Sequence, residues 1–147
     1  MTTTESTAAP LACAFGGAIL ARQGACPLAT MALLGEAERP RCSSPVANTN
    51  CRTFRALVRE RATFALRLPP PATLLTHAAE IRIECGGLRG LAEALGDPPG
   101  PPADVHALVN RARDAYDGLL GIPFATVVAA VTGWEGRPRS AGGSGAP

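Results

Sequence analysis

Lysine is absent from this chain; all 14 of its basic residues are arginines. No ammonium is therefore present to form a Schiff base or to complete a phosphate-binding loop. Aromatics are scarce at 4%, so a core must be built from Leu, Ala, Val and Ile. Such small and branched side chains pack well between close helices. Long apolar runs are missing too: the longest weakly polar stretch, Pro10 to Leu20, holds two glycines and is too short to span a bilayer. Residues 1–10, MTTTESTAAP, lack the basic and apolar regions of an export signal, and a reducing, cytoplasmic setting is expected. The formal net charge is only +2, which argues against nucleic acid or a membrane surface as the partner of the whole molecule.

The five cysteines, at 13, 26, 42, 51 and 85, include no close-spaced pair. Zinc fingers, rubredoxin-like knuckles, two-cluster ferredoxins and Cys-x-x-Cys redox motifs are excluded on that ground. An odd number in a reducing compartment also argues against a disulfide framework.

At 147 residues the chain fits one domain with one core, expected over 11–137 with disordered tails at 1–10 and 138–147. The expected fold class is all-α: a small bundle of four to six helices with long loops in the N-terminal half. A weak Gly-containing helix is expected over Leu11–Arg22. A second opens at Pro27 and is closed by Gly35. Residues Glu36–Asn50 read as a polar connection, after which Asn48, Thr49 or Asn50 caps the longest helix, over about 50–68. Its apolar stripe is Phe54, Leu57, Val58, Ala65 and Leu68, interrupted by Arg61. Pro69, Pro70 and Pro71 end it.

From Ala72 to Leu95 a helix is expected to break at Gly86–Gly87, with a short strand at IRIE as competitor. Residues 96–102 read as a turn-rich linker. Asp104 caps a helix over Val105–Leu120, and Pro123 opens a last helix or strand.

The first four cysteines lie within 39 residues and fall at element boundaries or in Gly-rich sequence. One ligand per boundary can deliver four thiolates to one point, so Cys13, Cys26, Cys42 and Cys51 are the candidate cofactor and metal ligands. Arg41, Arg52, Arg55, Arg59, Arg61 and Arg67 against Glu60 give this region a positive field expected to favour thiolates. The expected group is a 4Fe-4S cluster, with zinc or no cofactor as alternatives, in a small accessory or electron-transfer protein. The competing class is a cofactor-free helical interaction domain with structural cysteines.

Cys85, with Gly86 and Gly87, reads either as a thiol near the cofactor beside an anion-binding bend or as a buried cysteine. Arg52, Arg55 and Arg59 recur on one helical face and form a candidate docking stripe for an acidic protein partner. No acid–base set points to an enzyme: Glu80 and Glu84 read as a solvated face, His77 and Cys85 are widely separated, His106 is expected to be exposed, and Tyr116 and Trp134 read as core-edge anchors.

Overall fold

A computed structural model describes residues 11–34, 37–70 and 73–135. Both expected disordered tails lie outside these residues or at their limit. The elements in chain order are β1 (Leu11–Ala12), α1 (Gly16–Leu20), β2 (Ala29–Leu34), β3 (Ala37–Cys42), α2 (Pro45–Leu66), α3 (His77–Ala94), α4 (Val105–Ala115), a 3-10 turn (Leu119–Gly121) and α5 (Phe124–Gly133). The fold is mixed α/β, five α-helices with a three-stranded antiparallel sheet of order β1-β3-β2. The all-α expectation is corrected accordingly.

The sheet occupies the segment where sequence periodicity was weakest. The segment ATMALL, apolar but for Thr30, is a strand, not the helix expected after Pro27, and it pairs with β3 from Ala29↔Cys42 to Leu34↔Ala37. Six residues is strand length, and a buried helix of that size is uncommon. Pro27 sits instead in a turn in which the Ala29 amide donates to the Cys26 carbonyl at 3.0 Å. Pro40 is tolerated in the central strand for a local reason. Its carbonyl takes the Cys13 amide at 3.2 Å on the β1 side. Its missing N–H therefore also faces β1, just where that two-residue strand ends. The helix expected over Leu11–Arg22 shrinks to the five residues of α1.

Three helix starts follow from capping. The Ser44 hydroxyl accepts the Ala47 amide at 3.1 Å with Pro45 at the first helical position. Thr76 accepts from Ala79 and Asp104 from Ala107. The α2 cap therefore lies upstream of the expected Asn48–Asn50, and that helix gains a turn. Arg67 closes α2 in the left-handed region at φ 55°, and Pro69 and Pro70 lie outside helices. Helix α4 stops at Ala115, short of the expected Leu120, because Asp117 and Gly118 both take positive φ.

Helix α3 runs unbroken through Gly86 and Gly87. These glycines are not a bend. A Cβ at Gly86 would stand 2.6 Å from Val131 Cα, and one at Gly90 2.6 Å from Val127 Cα. The two bare faces let the α5 backbone lie directly on α3. Around this contact the core collects Val58, Leu88, Leu91, Val109 and Ile83. Phe15, Phe54 and Phe124 form a row through it, with ring centroids 6.1 and 6.3 Å apart.

Candidate functional site

The structure brings the first four cysteines together. Cys13 follows β1, Cys26 begins the turn into β2, Cys42 ends β3 and Cys51 lies in the second turn of α2. All four line one small apolar cavity of about 10 Å³, whose wall also includes Asn48 and His106. Sheet register explains the convergence. Cys42 stands opposite Ala29 on one side and Leu11 on the other, so Cys26, in the turn before β2, and Cys13, just after β1, flank it, while α2 brings Cys51 to the same cavity. Asn48, 2% exposed, pins this cap by donating from Nδ2 to the Ala12 carbonyl at 2.8 Å. Its Oδ1 has no hydrogen-bond partner among the described residues.

The electrostatics are opposite to the expected field. Burial pushes the Cys13 thiol up to about 11 and the Cys51 thiol to about 12. Neighbouring thiols add to both shifts, and the nearby charges that act on them are acids, Glu84 on Cys13 and Asp104 on Cys51. The arginines point elsewhere. Arg55 is bound to Glu84 through Nε at 3.1 Å and Nη2 at 3.0 Å. Arg59 donates to the Pro69 and Pro70 carbonyls, and Arg61 lies 4.8 Å over the Phe124 ring. Cys13 and Cys51 are therefore protonated thiols in an apolar pocket.

The 4Fe-4S and zinc expectations are therefore corrected. Among the described residues no group of three or more His, Cys, Asp or Glu side chains is placed to hold a metal ion. The metal-binding and electron-transfer reading falls with its donor set. The anion-binding bend expected beside Cys85 is corrected to continuous helix. Cys85 is buried in the middle of α3, 1% exposed, with its thiol pushed up to about 11 by burial, and Gly86 and Gly87 serve helix packing.

Two clefts adjoin the cysteine cavity, and Cys13 lines both. One, about 740 Å³, lies between α1, β3 and α3, with His77, Glu80, Arg39 and Trp134 on its walls. The other, about 920 Å³, lies between β1 and α2 beside Leu11, Ala12, Ala56 and Leu57, with Arg52 and Arg55 along it. Glu84 sits at the junction of the two. Its Oε1 accepts the Ala18 amide at 3.0 Å while Oε2 takes Arg55. Burial raises its pKa, with Arg55 and the Ala18 amide pulling the other way.

Of the expected docking stripe, Arg52 is exposed and has no partner among the described residues; Arg55 and Arg59 are half-buried and engaged. Arg82, Arg89 and Arg111 likewise bond internally, to α5 carbonyls, Gln23 and Asp97. His77 is exposed and His106 half-buried. The Tyr116 hydroxyl donates to the Ala94 carbonyl at 2.8 Å, as befits a core-edge anchor.

Sequence reasoning missed Glu84 and Asn48. A signal existed for Glu84: it shares a helical face with Leu88 and Leu91, which marks it as core-facing. Asn48 lies three residues before Cys51, so its face too was readable once the helix start was placed at Ser44.

No helix among the described residues is long and apolar enough to cross a membrane. Compared with known proteins, the chain matches no family model, no curated protein and no solved structure.

Proposed function

We propose that the chain, as one domain over residues 11–137, is a cofactor-free interaction module of the cytoplasm whose cysteines are structural in the resting state. Its partner is a protein segment that sets apolar side chains into the β1–α2 cleft and an acidic group against Arg52. The observation that carries this reading is the exposure of Arg52 beside an apolar wall, in a chain whose other α2 arginines of that stripe are already engaged. Leu11 at 41% exposure supplies apolar surface at the mouth. Thr49, near the positive end of α2, lines the same cleft and adds to the preference for an acid there. Glu84 does not oppose that charge, because Arg55 faces it. Glu60 and Glu80 also line the cleft, so the acidic group of the segment is expected at the Arg52 end, near the start of the helix.

The test is a nuclear magnetic resonance titration of the labelled chain with a synthetic peptide of leucines flanked by aspartates. Saturable shifts are expected at Ala12, Thr49, Arg52 and Ala56, and Arg52→Glu should weaken binding by roughly five- to tenfold. Shifts centred on the Arg61–Arg67 surface, or an unchanged affinity in Arg52→Glu, would place the docking surface elsewhere.

A further inference from the structure

Four free thiols face one small cavity, and the fold brings two of them together at the base of one hairpin. Cys26 opens the turn into β2, and Ala29, the first residue of that strand, stands opposite Cys42. The turn is tied to the end of β3 by Ser43, whose amide and hydroxyl both donate to the Leu28 carbonyl at 2.9 Å. Both cysteines are half-buried, as is Cys13 beyond the hairpin, so a small reagent reaches them without unfolding, whereas Cys51 is buried. The wall near them is made of small residues, Ala14, Ala29 and Ala47. The Cys26 thiol faces Asp104 Oδ1 at 3.9 Å, and the Cys42 thiol donates to the Ser44 carbonyl at 3.2 Å.

We propose that Cys26 and Cys42 form an oxidation site, converted by a low-molecular-weight disulfide such as oxidised glutathione into an intramolecular bridge. The thiolate of one attacks a glutathione sulfur, forming a mixed disulfide and expelling one glutathione, which takes up a proton. The thiolate of the other attacks the protein sulfur of that mixed disulfide and expels the second glutathione. The protein loses two electrons and two protons, and one oxidised glutathione becomes two reduced ones. Cys13 and Cys51, held protonated by burial, exchange more slowly. Cys85, enclosed in α3, stays outside the reaction. The proposal goes beyond the docking reading and is independent of what occupies the cleft.

The full reduced chain is incubated over a range of oxidised-to-reduced glutathione ratios, quenched with acid, and read by intact mass and peptide mapping. The expected product is monomeric, ~2 Da lighter, and carries a Cys26–Cys42 cross-link while Cys85 remains free. Cys26→Ser and Cys42→Ser should each halt at a persistent glutathione adduct, and Cys85→Ser should behave as the parent. Circular dichroism verifies that each variant is folded, and the mapping of the unsubstituted chain needs no variant at all. A bridge that includes Cys85, a pairing of Cys42 with Cys13 or Cys51, an intermolecular disulfide, or five free thiols at every ratio would each overturn the assignment.

Discussion

Gly86, Gly87 and Gly90 share one helix and one propensity, so alanine at each separates backbone preference from packing. In a helix interior Gly→Ala is favourable by about 1 kcal/mol. At Gly87 the new methyl would meet the Val58 methyls at 3.4 and 3.5 Å, close to ordinary contact, so the favourable part survives. At Gly86 and Gly90 it would meet backbone at 2.6 Å, where contact distances of roughly 3.5–4.0 Å are needed. Helix α5 must then retreat by about 1 Å, loosening Val127 and Val131, which are fully buried. Overpacking of this kind costs roughly 1–3 kcal/mol. With the obstacle being main chain, the upper figure applies, for a net loss of about 2 kcal/mol. In a chain of this size that lowers Tm by roughly 4–8 °C, while Gly87→Ala raises it by roughly 2–4 °C.

Urea titrations followed by far-ultraviolet circular dichroism measure the same differences as midpoints at constant slope. The Gly86→Ala/Gly90→Ala double variant should lose less than the sum of its parts, since one displacement of α5 relieves both clashes. If Gly86→Ala and Gly87→Ala shift stability in the same direction, the direct seating of α5 on α3 is wrong.

Removing Glu84 as Glu84→Ala leaves the Ala18 amide and Arg55 without their acceptor; with Arg55 only 24% exposed, a loss of about 2–4 kcal/mol is expected in urea unfolding. Because the folded carboxyl titrates above its ordinary value, its stabilising contribution is full below the unfolded pKa and falls as pH rises through the folded one. Arg55→Ala removes a lowering influence and extends that fall to higher pH, which unfolding midpoints at about pH 4 and about pH 7 will show. The Cys51 thiol, raised from 9.0 to about 12, likewise contributes stability that is lost as pH climbs through that window. Cys51→Ala should flatten the alkaline limb of the stability profile, and an unchanged limb would contradict the buried thiol. Phe54→Ala, which takes the middle ring from the Phe15–Phe54–Phe124 row, should cost about 3–5 kcal/mol by thermal unfolding.

The helices were legible where caps and periodicity agreed. Asp104 and the buried Val105, Leu108, Val109 and Ala112 follow directly from the sequence pattern. For α2 the stripe was shifted: Ala47, Cys51, Phe54, Val58 and Ala62 face the core, and Ala65 does not. The helix begins at Ser44, four to six residues before the asparagines expected to cap it, so the stripe extends back through Cys51 and Ala47. The sheet was hidden because its strands carry no alternation to read. In β2 the residues ATMALL are apolar but for Thr30, and β3 contains a proline. Pairing with each other, which no local window contains, decides their state. The Gly-Gly pair misled for a related reason. Glycine weakens an isolated helix, yet here its missing side chain is the condition for the α3–α5 contact, a gain visible only once both helices are placed.

The grouping of Cys13, Cys26, Cys42 and Cys51 was legible, since all four sit near element boundaries that a compact fold must gather. The chemistry inferred from them was not. A segment with six arginines and one glutamate suggests a field that strips protons from nearby thiols. Yet the influence of a charge falls with distance and with the solvent between, so only groups within a few ångström decide a thiol's state. Three arginine side chains of α2 are engaged elsewhere, Arg55 with Glu84, Arg59 with the carbonyls after the helix and Arg61 with Phe124. The cysteine cavity is walled by alanines, Val105, Asn48 and His106, and the charges that act on Cys13 and Cys51 are the carboxyls of Glu84 and Asp104. Desolvation then acts without a compensating cation, and the protons stay. Placing a cation beside the cavity is the direct reversal of this arrangement: Ala14→Arg, on its wall, should lower the Cys13 thiol pKa and speed its alkylation at neutral pH. An unchanged rate in a folded Ala14→Arg variant would mean that burial alone, and not the missing cation, holds the thiol protonated.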